Sequence, residues 1–207
     1  MRNTRTFLVA AAVVGSLALT ACGNDSDSGG SGGHHDSAAS STASSTAAAH
    51  NDQDMAFAQG MVPHHQQALE MAKLAADRAS SPQVKDLAAR IEKAQDPEIQ
   101  TMNGWMKSWN MEMGNPSPMP SMSGMGGMAG MDGMMSDKDM TELKNMSGKE
   151  FDTMFLTMMI EHHNGAIEMA KTEKAKGSYA PAVSMAGDII SGQSAEITEM
   201  NQLLGKK

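Results

Sequence analysis

Apolar residues recur along this chain with the 3.6-residue period of a helix in four long stretches. In the first, from Asp52 to about Ala79, Phe57, Met61, His64, His65, Ala68, Met71, Ala72 and Ala75 fall within about 120° of one helical face, and Glu70 points the other way. Asn51 or Asp52 is placed to cap it, and Pro63 predicts a kink just before the histidines. The second stretch opens at Ser80-Ser81-Pro82-Gln83, which reads as a capping box with proline near the first turn. Its inward stripe is Val84, Leu87, Ile91, Gln95, Glu98, Met102, Trp105 and Trp109, and Pro97 predicts a bend. A third helix is expected from the capping-box pattern Ser147-Gly148-Lys149-Glu150 to about Lys176. The fourth follows Gly177-Ser178 and places Ala182, Met185, Ile189, Gln193, Glu196, Met200 and Leu203 on one face. A short helix is expected over Asp137 to Asn145.

The first and third helices are copies. Met61-Val-Pro-His64-His65-Gln-Gln-Ala68-Leu-Glu70-Met71-Ala72 returns 98 residues later as Met159-Ile-Glu-His162-His163-Asn-Gly-Ala166-Ile-Glu168-Met169-Ala170. The same register pairs Phe57 with Phe155, Ile91 with Ile189, Gln95 with Gln193, Glu98 with Glu196, Ile99 with Ile197 and Met102 with Met200. An unbroken register over about fifty residues is the mark of a duplicated structural unit. The expected fold is therefore all-α, a four-helix bundle made of two helical hairpins, 52–113 and 147–204, within a domain spanning 52–207.

Two stretches carry no helical period. Residues 1–21 combine Arg2 and Arg5 with an apolar run from Phe7 to Leu19, the pattern of a secretory signal too short to span a membrane. Its ending, Leu19-Thr20-Ala21-Cys22, is similar to a bacterial lipoprotein signal, in which Cys22 would carry the lipid. Residues 22–51, rich in Gly, Ser, Ala and Thr, read as a disordered tether with a reach of roughly 30 Å; its His34, His35 and His50 are ordinary linker residues or weak metal contacts. The expected location is the outer face of a bacterial cytoplasmic membrane or the periplasm. Between the hairpins, the segment 115–136 sets Met119, Met122, Met125, Met128, Met131 and Met134 at a period of three among Gly, Pro and Ser, against a stable helix.

Composition narrows the chemistry. Removal of residues 1–21 leaves 14 basic against 24 acidic residues, a net charge of −10, and no basic cluster, which argues against nucleic acid. With Cys22 as the single cysteine, the domain has neither a disulfide nor a thiolate ligand. Any soft donor must come from the 23 methionines, an unusual number beside seven aromatic residues. A methionine on a helix face is ordinarily core filler, and a lone His pair a satisfied core group. The doubled pattern is harder to read that way, since each copy places Met three residues before and seven after its first His. Gln95 and Glu98, and again Gln193 and Glu196, interrupt the apolar stripes of the facing helices, where a histidine or a metal held by one would satisfy them.

The di-iron bundles use Glu-x-x-His on two helices; this chain has Met61-x-x-His64 and Met159-x-x-His162 instead. Exchanging a hard carboxylate for a thioether disfavours iron and suits Cu(I), with Ag(I) as mimic, while imidazole alone also takes Cu(II) or Zn(II). The period-three methionines could wrap Cu(I) as well, serve as a plain linker, or act as a sacrificial oxidant sink.

At these residues the chain resembles a bacterial family catalogued as a domain of unknown function, the DUF305 group, whose hallmark is Met-x-x-His-His-x-x-Ala-x-x-Met-Ala, present here twice between about Asp52 and Leu204. The resemblance implies a ferritin-like four-helix bundle and, in some members, extracytoplasmic copper binding and copper tolerance. It also implies candidate ligands among Met61, His64, His65, Met71, Met159, His162, His163 and Met169. Gln95, Glu98, Met102, Gln193, Glu196 and Met200 are candidates for supporting roles or further ligation. The resulting expectation is a lipid-anchored protein without catalysis that sequesters Cu(I) or passes it to a copper-handling partner. A redox enzyme on a ferritin-like scaffold and a metal-free interaction domain are the alternatives.

Overall fold

The computed structural model describes residues 49–111 and 132–206. The segment read as a signal, Cys22, nearly all of the tether, and the methionines from Met119 to Met131 lie outside the described residues. The described part is helical throughout: α1 (Asp52–Arg78), α2 (Pro82–Ser108), α3 (Asp137–Asn145), α4 (Gly148–Lys176) and α5 (Ala180–Leu203). No strand occurs among the described residues beyond an isolated bridge between Ala79 and Gly148. α1 packs chiefly on α2 and α4 on α5, and the two hairpins meet mainly through α1 and α4.

Local chemistry sets the helix ends. Asn51 caps α1, accepting from the amides of Gln53 and Asp54, while the Asp54 carboxylate accepts from the Asn51 amide. α1 and α2 run on through Pro63 and Pro97, each sacrificing one amide donor. Two expected capping boxes are not formed. At α2 the cap is Ser81, whose hydroxyl accepts from Val84, so Ser80 and Gln83 are out of register for a box. At α4 Ser147 makes no side-chain cap bond: Gly148 enters the helix at φ +65°, so the first turn lacks the regular geometry a box requires. α3 does carry a box, between Ser136 and Asp139.

All eight residues expected on the inner face of α1 are buried, and Glu70 lies outside, ion-paired with Lys144 of α3 at 2.6 Å. On the other helices the stripes are inward but narrower than expected: Glu98, Trp109, Met185, Glu196 and Leu203 are only partly covered. The buried apolar residues form two clusters. One gathers Met71, Leu87, Ile91, Leu143, Phe151, Phe155, Met159 and Met200; the other gathers Phe57, Met61, Met102, Trp105, Ala182 and Ile189. Each fully buried side chain of this size stabilises the fold by roughly 1.5–3 kcal/mol.

The hairpins are also tied by a reciprocal pair of carboxylates. Asp54 of α1 accepts from the Ser178 amide and hydroxyl and from the Tyr179 amide, at the start of α5. Asp152 of α4 accepts from the Ser80 amide and hydroxyl and from the Ser81 amide, at the start of α2. Asp54 and Asp152 stand 98 residues apart, as do Ser80 and Ser178, so the clasp belongs to the duplication.

One buried acid has no duplicate. Glu173, whose counterpart in the first copy is Ala75, is fully buried and neither carboxyl oxygen has a well-formed partner. Burial, with Asp54 alongside, pushes its pKa from 4.5 up to about 8. A proton held by the folded state and released by the unfolded one makes stability fall as pH rises between these values, by roughly 1.4 kcal/mol per pH unit at most. Glu173→Gln, which mimics the protonated acid, is therefore expected to raise stability relative to wild type by more at pH 8 than at pH 5. Urea unfolding at both pH values checks this, and a difference independent of pH would contradict it.

Candidate metal centre

Between the two apolar clusters lies a polar layer. His64, His65, His162 and His163 are each 0% exposed, and Gln95 and Gln193 are 2% and 4% exposed. The repeated motifs meet here: the His64 and His162 rings lie 3.7 Å apart between centroids, tilted by 41°. The second histidine of each pair turns to its own hairpin partner. His65 Nε2 lies 2.8 Å from Glu98 Oε2, and His163 Nε2 lies 2.7 Å from Glu196 Oε2. Each glutamate side chain is partly open to water, 24% for Glu98 and 15% for Glu196. A carboxylate accepting from Nε2–H fixes the tautomer and leaves Nδ1 with a free lone pair.

The layer is short of hydrogen-bond partners. Both ring nitrogens of His64 and of His162, Nδ1 of His65 and of His163, both amide atoms of Gln95 and Oε1 of Gln193 are buried without one: nine atoms in all. Native interiors tolerate few such groups, each at a cost of about 1–3 kcal/mol. Burial holds the His64 pKa down at about 3, His65 adding to the effect and the Asp132 backbone opposing it. His162 is held well below its ordinary value, first by burial and then by His64. Both rings are therefore neutral near pH 7, the state in which imidazole donates to a metal.

The expected thioethers do not all share one place. Met61 and Met71 stand on one face of α1, but ten residues of helix separate them by about 15 Å, and they fall in different clusters. Met71, Met159 and Met200 lie on one side of the histidines; Met61, Met102 and the partly buried Met169 lie on the other. The 98-residue register maps each set onto the other, so every set holds one copy of each methionine type. Among the described residues no three His, Cys, Asp or Glu side chains converge as metal ligands. Glu98 and Glu196 brace histidines rather than join them in a common ligand set.

The methionine-rich segment ends against this layer. The Gln67 amide donates to the Met135 carbonyl at 2.9 Å and accepts from the Met135 amide at 2.8 Å. On α4 the equivalent position is Gly165, where an added Cβ would collide with the Asp132 carbonyl oxygen. Gly133, at φ +81°, packs against the same stretch of α4 backbone. At this position the two copies differ, and both residues seat the same short segment. Sequence reading missed Gln67, Gly165, Glu173 and the aspartate clasp. The 98-residue register carried a signal for the clasp, and the exchange of Gln67 for Gly165 between the copies was a signal for the docked segment.

Fold and site together define a duplicated all-helical protein with a histidine layer buried between two methionine-containing cores. A family model described as a domain of unknown function, DUF305, matches residues 54–204, and the chain belongs to that family. Its fold is similar to the crystal structure of a putative secreted DUF305 protein from Streptomyces coelicolor, with a TM-score of 0.66, 32% identity, and coverage of 75% of this chain and 94% of that one. It is also similar to CopM in a Cu(I)-bound form, with a TM-score of 0.57, 33% identity, and coverage of 72% and 94%. CopM structures in Cu(II)-bound, Ag-bound and apo forms align comparably. A 50-residue stretch, 24% of this chain, is 40% identical to the uncharacterized protein L153 of Acanthamoeba polyphaga mimivirus, and the match spans 33% of that protein's length.

Proposed function

We infer that this protein binds copper as cargo, Cu(I) in preference, and sequesters it or passes it to a partner without catalysing a reaction. The observation that carries the reading is the set of buried, neutral, unpartnered imidazoles where the two motifs meet. A metal ion would satisfy donors that no protein group satisfies, and His64 and His162 are the residues to hold it. The thioethers of Met71, Met159 and Met200 on one side, and of Met61, Met102 and Met169 on the other, supply the soft donors Cu(I) prefers. His65 and His163, oriented by Glu98 and Glu196, offer further imidazole nitrogen for Cu(II) or Zn(II). The likeness to CopM, crystallised with Cu(I), Cu(II) and silver, supports the same class of cargo.

In this reading the helices form a ferritin-like four-helix bundle, and Cys22 anchors it by lipid outside the cytoplasmic membrane. The donor set favours storage or transfer over the oxidase chemistry of di-iron bundles, which rests on clustered carboxylates. A soluble form beginning at Gly23, loaded anaerobically with Cu(I) and freed of weakly held metal, is expected to retain copper. A variant lacking residues 115–131 is expected to retain the share bound within the helices. Copper lost only on that deletion would transfer the function to the methionine segment, and no copper in either would end the metal reading.

A further inference from the structure

A cleft of about 720 Å³ opens between α4 and the chain entering α3, and no histidine lines it. Four methionines line it: Met134 and Met135 from the chain entering α3, and Met154 and Met158 from α4. Met154 and Met158 are one helical turn apart, so both thioethers stand on one strip of α4. Met134 and Met154 are only partly buried and reach the opening, while Met135 and Met158 are buried at its floor, where the cleft meets the apolar core. The backbone facing them is pinned by the paired bonds between Gln67 and Met135.

The repeat sharpens the case. At the positions equivalent to Met154 and Met158 the first copy has Ala56 and Gly60, so of the two copies only α4 offers thioethers there to the segment that docks between them. Glu150, Glu161 and Asp139 share the cleft with a single ammonium, from Lys149. Soft sulfur donors within a net-negative, solvent-open cleft suit a soft monovalent cation and not an anion or an apolar ligand.

We propose that this cleft is a second metal site, binding Cu(I) or Ag(I) through Met134, Met154 and Met158, open to solvent and separate from the histidines. It extends the soft-metal reading but uses none of the histidine residues, so either can fail without the other. The test is an Ag(I) titration of the soluble chain from Gly23, followed by NMR of methyl-labelled methionines, with Met154→Leu/Met158→Leu as a volume-conserving variant. The methyl signals of Met154 and Met158 are expected to shift with Ag(I), and the variant to bind one equivalent fewer. Shifts confined to the methionines beside the histidines, or to Met119–Met131, would overturn this site while leaving the soft-metal reading intact. Unmoved signals throughout would overturn both.

Discussion

Replacing His64 and His162 together by leucine is expected to lower Cu(I) affinity at least about 100-fold without destabilising the metal-free protein. Loss of an outer group that orients a ligand already costs 10–100-fold, and this change removes two donors themselves. The second half of the expectation comes from the burial of four imidazole nitrogens with no partner. Each is a desolvated polar atom, at about 1–3 kcal/mol, and an apolar side chain of similar size removes the cost. The two ring centroids lie only 3.7 Å apart, so the pair is changed as a unit. Competition against a Cu(I) chelator reads the first effect and thermal unfolding of the metal-free variant the second. Affinity within about threefold of wild type would remove the histidine pair from the site. Collapse of the metal-free fold would mean that the imidazoles serve structure instead.

That combination, a cost in the metal-free state recovered on binding, separates a built site from a polar flaw in the core. It also accounts for the placement of Glu98 and Glu196. Each sits at the rim, partly hydrated, so its charge is not fully desolvated, yet it reaches one imidazole of its own hairpin. His64 and His162 have no such brace, and they are the ones that meet across the repeat.

Helical period was enough to read which side of α1 faces inward, because burial there follows from local spacing alone. The same spacing puts Met61 and Met71 on one face without showing that they lie in different layers, since an angle around a helix says nothing of height along it. Height becomes visible only when α4 packs on α1 and brings Met159 to the level of Met71 and Met169 to that of Met61. Ser80 illustrates a second limit. Its position before a helix reads as a local cap, whereas its hydroxyl bonds to Asp152, 72 residues away. A buried acid such as Glu173 gives no periodic signal: the chain around it resembles a solvated helix end, and the approach of α1 with Asp54 helps to enclose it.

Asp54→Ala is expected to be the most destabilising single change in the clasp, by on the order of 3 kcal/mol. Burial alone would raise the Asp54 pKa, but hydrogen bonds from Asn51, Glu173, Tyr179 and Ser178 outweigh it and hold the value below 3.8. Hydrogen bonds to a charged group contribute about 1.5–3 kcal/mol each, and alanine would leave the Ser178 and Tyr179 amides without this acceptor. A depressed carboxylate pKa gives stability that is present above the unfolded-state value and is lost as pH falls through the folded-state value. Asp54 thus weakens the fold on the acid side, and Glu173 weakens it as pH rises toward 8. The two are coupled, so removing Asp54 should also lower the Glu173 pKa and flatten the alkaline slope. Asp152→Ala offers the comparison that decides the matter: it breaks the equivalent clasp at Ser80 and Ser81, but its neighbourhood has Ala75 where the other has Glu173. It should destabilise by a similar or smaller amount and leave the alkaline slope as in wild type. Urea midpoints from pH 4 to pH 9 for both variants distinguish these outcomes. Identical pH profiles would refute the coupling between Asp54 and Glu173, and an unchanged midpoint for Asp54→Ala would refute the clasp.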